Sequence, residues 1–165
     1  MAYACQEAQI VEQAIATNST TQLHPLGKVV RAYDSTYGEG EFIYLKGVAS
    51  TVVGSIVEYN TSHQSGLSTT ATSLLTPHPL AVAMSACVAS EFGWYQISGE
   101  AVMVKDSGMS FAVDIGIEAS AGMAVLLATG AIINGAIVAV IASAKSDVLS
   151  VRAMIDRPHG PADVS

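Results

Sequence analysis

Short apolar runs separated by turn residues dominate the chain from Gly27 onward. Residues that favour extended chain, namely Val, Ile, Phe and Tyr, are concentrated in KVVRAY, EFIYLKGVA, SIVEY, LAVAMSACVA and GWYQISGEAVMV. The last of these runs contains Ser98-Gly99, where we expect the strand to break. In residues 110–118, SFAVDIGIE, apolar side chains occupy every second position, which predicts a strand with one buried face.

One long stretch has no charge at all. It is SAGMAVLLATGAIINGAIVAVIASA, residues 120–144, and it exceeds the roughly 20 apolar residues that a membrane-spanning helix needs. Its composition favours strands instead, because glycines interrupt it and basic and aromatic anchors do not flank it. Asn134-Gly135, between β-branched residues, predicts a hairpin turn. We therefore expect no membrane span but strands in MAVLLA, AII and AIVAVIA and a last one in VLSVRAMI, with a second copy of the chain as part of their cover.

The first 26 residues and residues 61–79 differ from this strand pattern. Residues 2–16 carry a thin apolar stripe that predicts a short helix, followed by the polar connector TNSTTQLHPLG. An isolated helix of this length is marginal, so we interpret residues 1–26 as an N-terminal arm held by other contacts. Residues 61–79 are small and polar and end in TPHP, which predicts a long, mobile surface loop.

The spacing of these runs predicts the fold class. Strands recur through residues 27–165 without a helix-length periodic segment between them, and 165 residues are near the usual size of one domain. We expect an all-β fold, a small antiparallel β-sandwich or partly open barrel with an N-terminal arm.

Charged residues are scarce, which bears on the partners of the protein. Only 13% of the residues are charged, against about 25% in a typical soluble domain. Large uncharged areas would then face water, and such areas usually mark contacts with other chains, so we expect a homo-oligomer. The net charge of −7 and the lack of a basic cluster disfavour nucleic acid as a partner. The N-terminus shows no export signal.

The residues that most often carry chemistry do not form a recognisable catalytic or metal-binding pattern. The short spacing of a zinc site is missing between the four histidines, which are His24, His63, His78 and His159. Cys87 lies in an apolar run, where a thiol is usually packed and unreactive, and its distance from Cys5 suggests no disulfide framework. YGEGE precedes a strand, so it predicts a glycine turn rather than a phosphate loop. We expect no enzyme activity, no cofactor and no metal.

Two pairs of aromatic residues in the predicted strands allow two interpretations. Phe42 and Tyr44 alternate in one strand, and Trp94 and Tyr95 are adjacent in another. These side chains either anchor the core or form a subunit contact, because Trp and Tyr tolerate one apolar and one wet end. The sequence alone leaves both interpretations open.

A series of motifs in fixed order lies between Gly27 and about Pro158. The motifs are GEFIYL, a Gly-Val-Ala turn, GWYQISGEA, AGMAVLL, NGAIVAV and VRAMIDRP. They lie in and after YDSTYGEGEFIYLKGVASTVVGSIVEYN and LAVAMSACVASEFGWYQISGEAVMV. In this order the chain resembles the capsid decoration, or cement, proteins of tailed phages, in the small β-domain group that includes lambda-type head decoration proteins. The arm and the loop of residues 61–79 lie outside the resemblance.

The resemblance implies a structural virion protein that is made in the host cytoplasm and stabilises the lattice from the outer surface of the phage head. Its partner would be the major capsid protein, and its own oligomer a homotrimer rather than a dimer. The side chains that we expect to contact sister subunits or the capsid are Tyr3, Ile10, Leu23, Tyr37, Phe42, Tyr44, Trp94 and Tyr95. The alternative function is attachment of the virion surface to a host or a glycan, through the Ser/Thr-rich loop.

Overall fold

A computed structural model describes residues 4–5, 12–69, 78–105, 115–117, 122–126, 134–137 and 150–159. Within these ranges the chain forms β-strands and no helix, which confirms the predicted all-β class. The strands are β1 (Ala4–Cys5), β2 (Asn18–Ser19), β3 (Val29–Asp34), β4 (Gly38–Lys46), β5 (Ile56–Tyr59), β6 (Ser65–Leu67), β7 (Leu80–Ala83), β8 (Phe92–Val104), β9 (Ile115–Ile117), β10 (Ala124–Leu126), β11 (Asn134–Ile137) and β12 (Ser150–His159). β9 pairs with β10, and the other strands belong to one antiparallel sheet that does not close into a barrel.

The longest strand, β8, organises the sheet. β4 pairs along one edge of β8, and β3 and then β1 follow β4. Gln96 pairs with both Phe42 of β4 and Val82 of β7, and Ser98 pairs with both Glu41 of β4 and Asp156 of β12. Because a residue has one partner per edge, β7 and β12 share the edge of β8 opposite β4. The sheet therefore divides near the middle of β8 into a β7-β5-β6 branch and a β12-β11 branch.

Gly99 lies at this division, and β8 continues through it. Its φ of 99° is in a region that L side chains rarely adopt, and an added Cβ would lie 2.3 Å from the carbonyl oxygen of Glu39. The break predicted at Ser98-Gly99 is therefore wrong, because β8 is not interrupted there. The same glycine instead marks the point where the strand changes partners on one edge.

The two branches enclose one apolar cluster, which gives the molecule its sandwich-like form. Side chains from β5, β7, β8, β10 and β12 meet there, namely Ile56, Leu80, Val82, Ala101, Met103, Ala124, Ala153 and Ile155. These strands contribute alternate residues to the cluster, as expected for a sheet with one inward face. Burial of this apolar area stabilises the divided sheet.

The central strands β4 and β8 are buried on both faces. On one face Ile43, Leu45, Tyr95 and Ile97 pack with residues of β5 and β7. The other face carries Phe42, Tyr44 and Trp94 and is covered by residues 12–26, here termed the N-terminal strap. A strand that is buried on both faces has a continuous apolar sequence instead of an alternating one. This explains the composition of EFIYLKGVA.

The N-terminal strap is part of the core rather than a separate extension. Gln13, Ile15 and His24 are all buried, and Ile15 joins the cluster around Tyr44 and Trp94. The helix predicted for residues 2–16 is wrong where the structure describes them, because residues 4–5 form β1 and residues 12–16 form turns. Of the apolar residues at positions 12–16, Ile15 is buried and Ala14 is exposed.

Two further expectations about local structure are wrong, and the expected burial of Cys87 is confirmed. β6 lies inside the stretch predicted as loop, where Ser65 and Ser68 are buried and β6 pairs with β5. Asn134-Gly135 lies in β11 against β12, with an irregular register at that point, and is not the hairpin turn that its flanks predicted. Cys87 follows β7 in a connecting loop but is buried, as expected. In the described ranges, no helix is long and apolar enough to cross a membrane.

Candidate interaction face

The most distinctive surface of the described residues is an exposed face of β3, β4, β8 and β12. Directly paired residues of antiparallel strands project to the same side of a sheet. Arg31 pairs with Glu41, and Glu41 pairs with Ser98. The row beside it contains Tyr33 with Glu39, and on the other side Glu100 with Met154. This arginine face comprises Val29, Arg31, Tyr33, Tyr37, Glu39, Glu41, Ser98, Glu100, Arg152, Met154 and Arg157.

Glu41 is the centre of the arginine face. One oxygen of its carboxylate accepts from Arg31 at 3.0 Å, and the other accepts from Arg157 at 2.7 Å. Arg157 has a φ of 44°, which is uncommon for a residue other than glycine. The alternation of buried residues along β12 is interrupted there, since Ile155 and Pro158 are both buried. At this irregularity the side chain of Arg157 extends past Ser98 of β8 and contacts Glu41 of β4.

A second ion pair lies beside the first. Arg152 on β12 donates to Glu100 on β8 at 3.1 Å. The guanidinium of Arg152 also stacks over the ring of Tyr37, 4.8 Å from its centroid. Planar guanidinium groups bind carboxylates and aromatic faces in this manner, so Arg152 is held between two partners.

The β3-β4 hairpin places Tyr37 over β12. The Asp34 carboxylate accepts from the backbone nitrogens of Thr36 at 2.7 Å and Tyr37 at 3.1 Å, a side-chain turn that fixes the loop. Gly38 follows with a φ of 75°. The turn predicted at YGEGE is present, but it ends at Tyr37, and the other four residues of the motif already belong to β4.

Small residues leave a shallow depression in the middle of the arginine face. It is lined by Arg31, Glu39, Gly40, Glu41 and Ser98. An added Cβ on Gly40 would lie 2.9 Å from the ring of Phe42, so the buried side of β4 requires glycine here. The depression is polar and open, whereas small-molecule sites are usually concave and mostly apolar.

Charged and apolar side chains are mixed on the arginine face. All three arginines of the chain lie there. They are offset by Glu39, Glu41, Glu100 and the neighbouring Asp156, so the face has no excess of positive charge. Tyr33 is 47% exposed and Met154 is 46% exposed on the same face. A face with arginine, tyrosine and methionine and without excess positive charge matches the composition of protein interfaces more than that of nucleic-acid sites.

Four of the residues expected at intermolecular contacts are fully buried within the single chain. Phe42, Tyr44, Trp94 and Tyr95 each have no solvent exposure. The prediction that these four side chains contact a partner is wrong, because each is enclosed by its own chain. The alternative interpretation, core anchoring, is confirmed.

The other four expected contact residues have different positions. Tyr37 lies on the arginine face, and Leu23 is 36% exposed on the N-terminal strap. Tyr3 and Ile10 lie outside the described residues. The sequence analysis did not single out the arginines as site residues. Arg31 and Arg152 nevertheless lie within predicted strands, in a chain that has few charged residues. Arginine inside an alternating strand is the signal that points to a charged sheet face.

The polar side chains of His24, Cys87 and Tyr95 all lie in the core. His24 is buried between the rings of Tyr44 and Trp94. Burial raises the pKa of the Cys87 thiol, which opposes the thiolate form that nucleophilic chemistry requires. Burial likewise raises the pKa of the Tyr95 hydroxyl, 3.4 Å from the hydroxyl of Ser65. In the described ranges, no three His, Cys, Asp or Glu side chains are grouped as a metal site.

Comparisons with known proteins found no relative of this chain. No protein-family model matches the chain, and neither the curated proteins nor the solved structures contain a match to it. The resemblance to phage decoration proteins stays a prediction from the sequence motifs.

Proposed function

We propose that the protein is a structural component of a phage particle that binds the outer surface of the head and stabilises the capsid lattice. In this proposal it acts without chemistry, as a homo-oligomer with a trimer favoured over a dimer. The observation that carries the proposal is the arginine face, an exposed sheet surface on which Arg31, Arg152 and Arg157 are held in place by glutamates.

Preorganisation of the arginine face supports a role in protein contact. Ordering long side chains on binding costs free energy, and here Arg152 is already held by Glu100 and Tyr37 before any partner arrives. Arginine and tyrosine are also the side chains most often found at the energetic centres of interfaces. The exposed side chains of Tyr33 and Met154 supply apolar area beside them.

The composition of the whole chain supports the same function. Only 13% of the residues of the chain are charged, so its surface meets other protein surfaces at a low desolvation cost. A component present in many copies on a lattice does not need high affinity at each contact, because linked contacts multiply their effect. Major capsid subunits and sister copies are the partners that this arrangement serves.

A binding experiment with undecorated heads tests the proposal. Purified protein is incubated with phage heads that lack it, and co-sedimentation is measured for the wild type, Tyr33→Glu, Met154→Glu and Val88→Glu. Val88 is 39% exposed in the loop between β7 and β8, beside Gly47, which follows the end of β4 remote from Glu41, and it serves as the matched control. We expect both substitutions on the face to weaken binding about tenfold or more, and the control to bind as the wild type does.

The possible outcomes separate the alternatives. Failure of the wild type to bind heads would refute the proposal, and adsorption of the same protein to host cells or glycans would favour the attachment function. Binding that all three substitutions leave unchanged would show that the arginine face is not the contact. Sedimentation of the free protein determines whether it is a trimer.

A further inference from the structure

One glutamine fixes the N-terminal strap to both central strands. The side-chain nitrogen of Gln13 donates to the carbonyl oxygen of Phe92 at 3.0 Å. Its side-chain oxygen accepts from the Tyr44 hydroxyl at 2.7 Å, and its backbone oxygen accepts from the indole nitrogen of Trp94 at 3.2 Å. The polar ends of both buried aromatic side chains are therefore satisfied by the strap.

At the other end of the strap, His24 has a buried ring nitrogen without a partner. Its ring centroid lies 5.2 Å from that of Tyr44, edge-on, and 5.2 Å from that of Trp94. Nε2 makes no hydrogen bond to any described residue. A neutral imidazole tolerates this position, because one of its nitrogens carries no proton. The protonated ring would instead place a charged N–H without an acceptor against the two aromatic rings.

We propose that the N-terminal strap is an acid-sensitive latch, in which protonation of His24 releases residues 12–26 from Tyr44 and Trp94 while the main sheet stays folded.

Burial first, and then the nearby charges, favour the neutral form of His24. Burial lowers the pKa of His24, the charge of Lys28 lowers it further, and Glu12 opposes both. On β4 the titratable neighbour is Tyr44, whose pKa is raised by burial, so its hydroxyl stays neutral in acid. On β8 the neighbouring ring is that of Trp94, which does not titrate. Protonation is therefore opposed in the closed state and unopposed once the strap has left.

The strap can leave without disrupting the main sheet. Its contacts with the sheet include the Gln13 hydrogen bonds, the donation from the Leu23 backbone nitrogen to the Tyr44 hydroxyl, the hydrogen bond from Asn18 to Glu91, the buried side chain of Ile15 and the pairing of β2 with the start of β8. The path β3-β4-β8-β7-β5-β6 does not run through the strap. Segments with few ties of this kind open with a lower free energy than the strands beneath them.

Release would uncover a new apolar surface. The strap covers the face of the sheet that carries Phe42, Tyr44 and Trp94. Once uncovered, these rings would meet water, so the environment of Trp94 would change on release. The latch does not depend on the proposed function, since it concerns the opposite side of β4 and β8.

The single tryptophan of the chain reports directly on the latch. Trp94 is the only tryptophan, and it contacts both Gln13 and His24. Fluorescence emission, far-UV circular dichroism and hydrogen exchange of residues 12–26 are measured on the full chain between about pH 7 and pH 4, a range that spans histidine protonation. We expect the emission to shift to longer wavelength and exchange in the strap to accelerate about tenfold or more, with unchanged circular dichroism.

Two variants and one direct measurement complete the test. His24→Phe keeps an aromatic ring against Tyr44 and Trp94 without a titrating nitrogen, and its emission should not change with pH. His159→Gln alters an exposed histidine on β12 and should behave as the wild type does. Should His24→Phe not fold, NMR titration of His24 in the wild type decides: a pKa above 6.5 overturns the proposal. Loss of circular dichroism together with the emission shift also overturns it, because the event would then be global unfolding.

Discussion

Arg157 on β12 donates a hydrogen bond to Glu41 on β4, and the two residues are 116 positions apart in the chain. Arg31 on β3 donates to the same carboxylate. Glu41 thus joins the last described strand to the first hairpin on the surface of the sheet. Because the contact lies on the solvent side, its role in the proposed binding is separable from its role in folding.

Replacement of Glu41 by Gln should affect partner binding more than stability. Its two arginine partners are 69% and 63% exposed, so solvent screens both ion pairs. We expect the free energy of unfolding in urea to fall by about 0.5–1 kcal/mol. Glu39→Gln, two positions along the same strand, is the control and should change stability less. A loss of several kcal/mol at position 41 would show that the cluster supports the fold itself.

Replacement of Gly99 by Ala should be severely destabilising. The new Cβ would meet the carbonyl oxygen of Glu39 at 2.3 Å in a backbone conformation with a φ of 99°. We expect a loss of about 3 kcal/mol or more in urea denaturation. Gly38→Ala is the matched control, since Gly38 also has a positive φ of 75° but no atom within 4 Å of an added Cβ. The control should cost about 1–2 kcal/mol, and equal losses at both positions would contradict the steric argument.

A double-mutant cycle should measure coupling between Gln13 and Tyr44. Each of Gln13→Ala and Tyr44→Phe removes the 2.7 Å hydrogen bond and leaves a buried polar atom of the other residue without its partner. We expect losses of about 1–3 kcal/mol for each and a coupling energy of about 0.5 kcal/mol or more. Gln22→Ala, on the exposed part of the strap, is the control. Strictly additive losses would mean that the hydrogen bond contributes nothing.

Alkaline pH should weaken the fold through Cys87. Burial raises the pKa of its thiol above the ordinary value of 9.0, so the unfolded chain loses this proton first as the pH rises. The contribution of the neutral thiol to stability is complete below pH 9.0 and declines as the pH rises from there toward the folded pKa. Urea midpoints at increasing pH should therefore fall less steeply for Cys87→Ala than for the wild type. Parallel slopes for the two proteins would rule out this linkage.

The sequence predicted the strands whose composition reflects their own burial. KVVRAY and EFIYLKGVA overlap β3 and β4, and SIVEY contains β5, because β-branched and aromatic residues favour a packed, pleated surface in any context. The position of Asn134-Gly135 could not be predicted in the same way, since pairing with β12 draws the dipeptide into a strand that local turn preference opposes. β6 contains Ser-Gly-Leu, a sequence without strand preference, and it forms by pairing with β5.

The candidate site was harder to predict than the fold for a related reason. Aromatic residues indicate apolar burial but not whether the covering atoms belong to the same chain, and Trp94 and Tyr95 are covered from within. The arginine face depends on the alignment of Arg31, Glu41 and Arg157 across three strands, which follows from register alone. Local composition holds no information about that alignment.

The partner change along β8 has a consequence for synthesis of the protein. A nascent chain that ends near Val104 contains Ile56, Leu80 and Met103, but Ala153 and Ile155, which enclose them, have not yet been translated. Domains dominated by such distant pairings close slowly, and their uncovered apolar edges associate with one another. We therefore expect that slowing translation after Val104, which prolongs the lifetime of this half-built sheet, lowers the soluble yield of the protein.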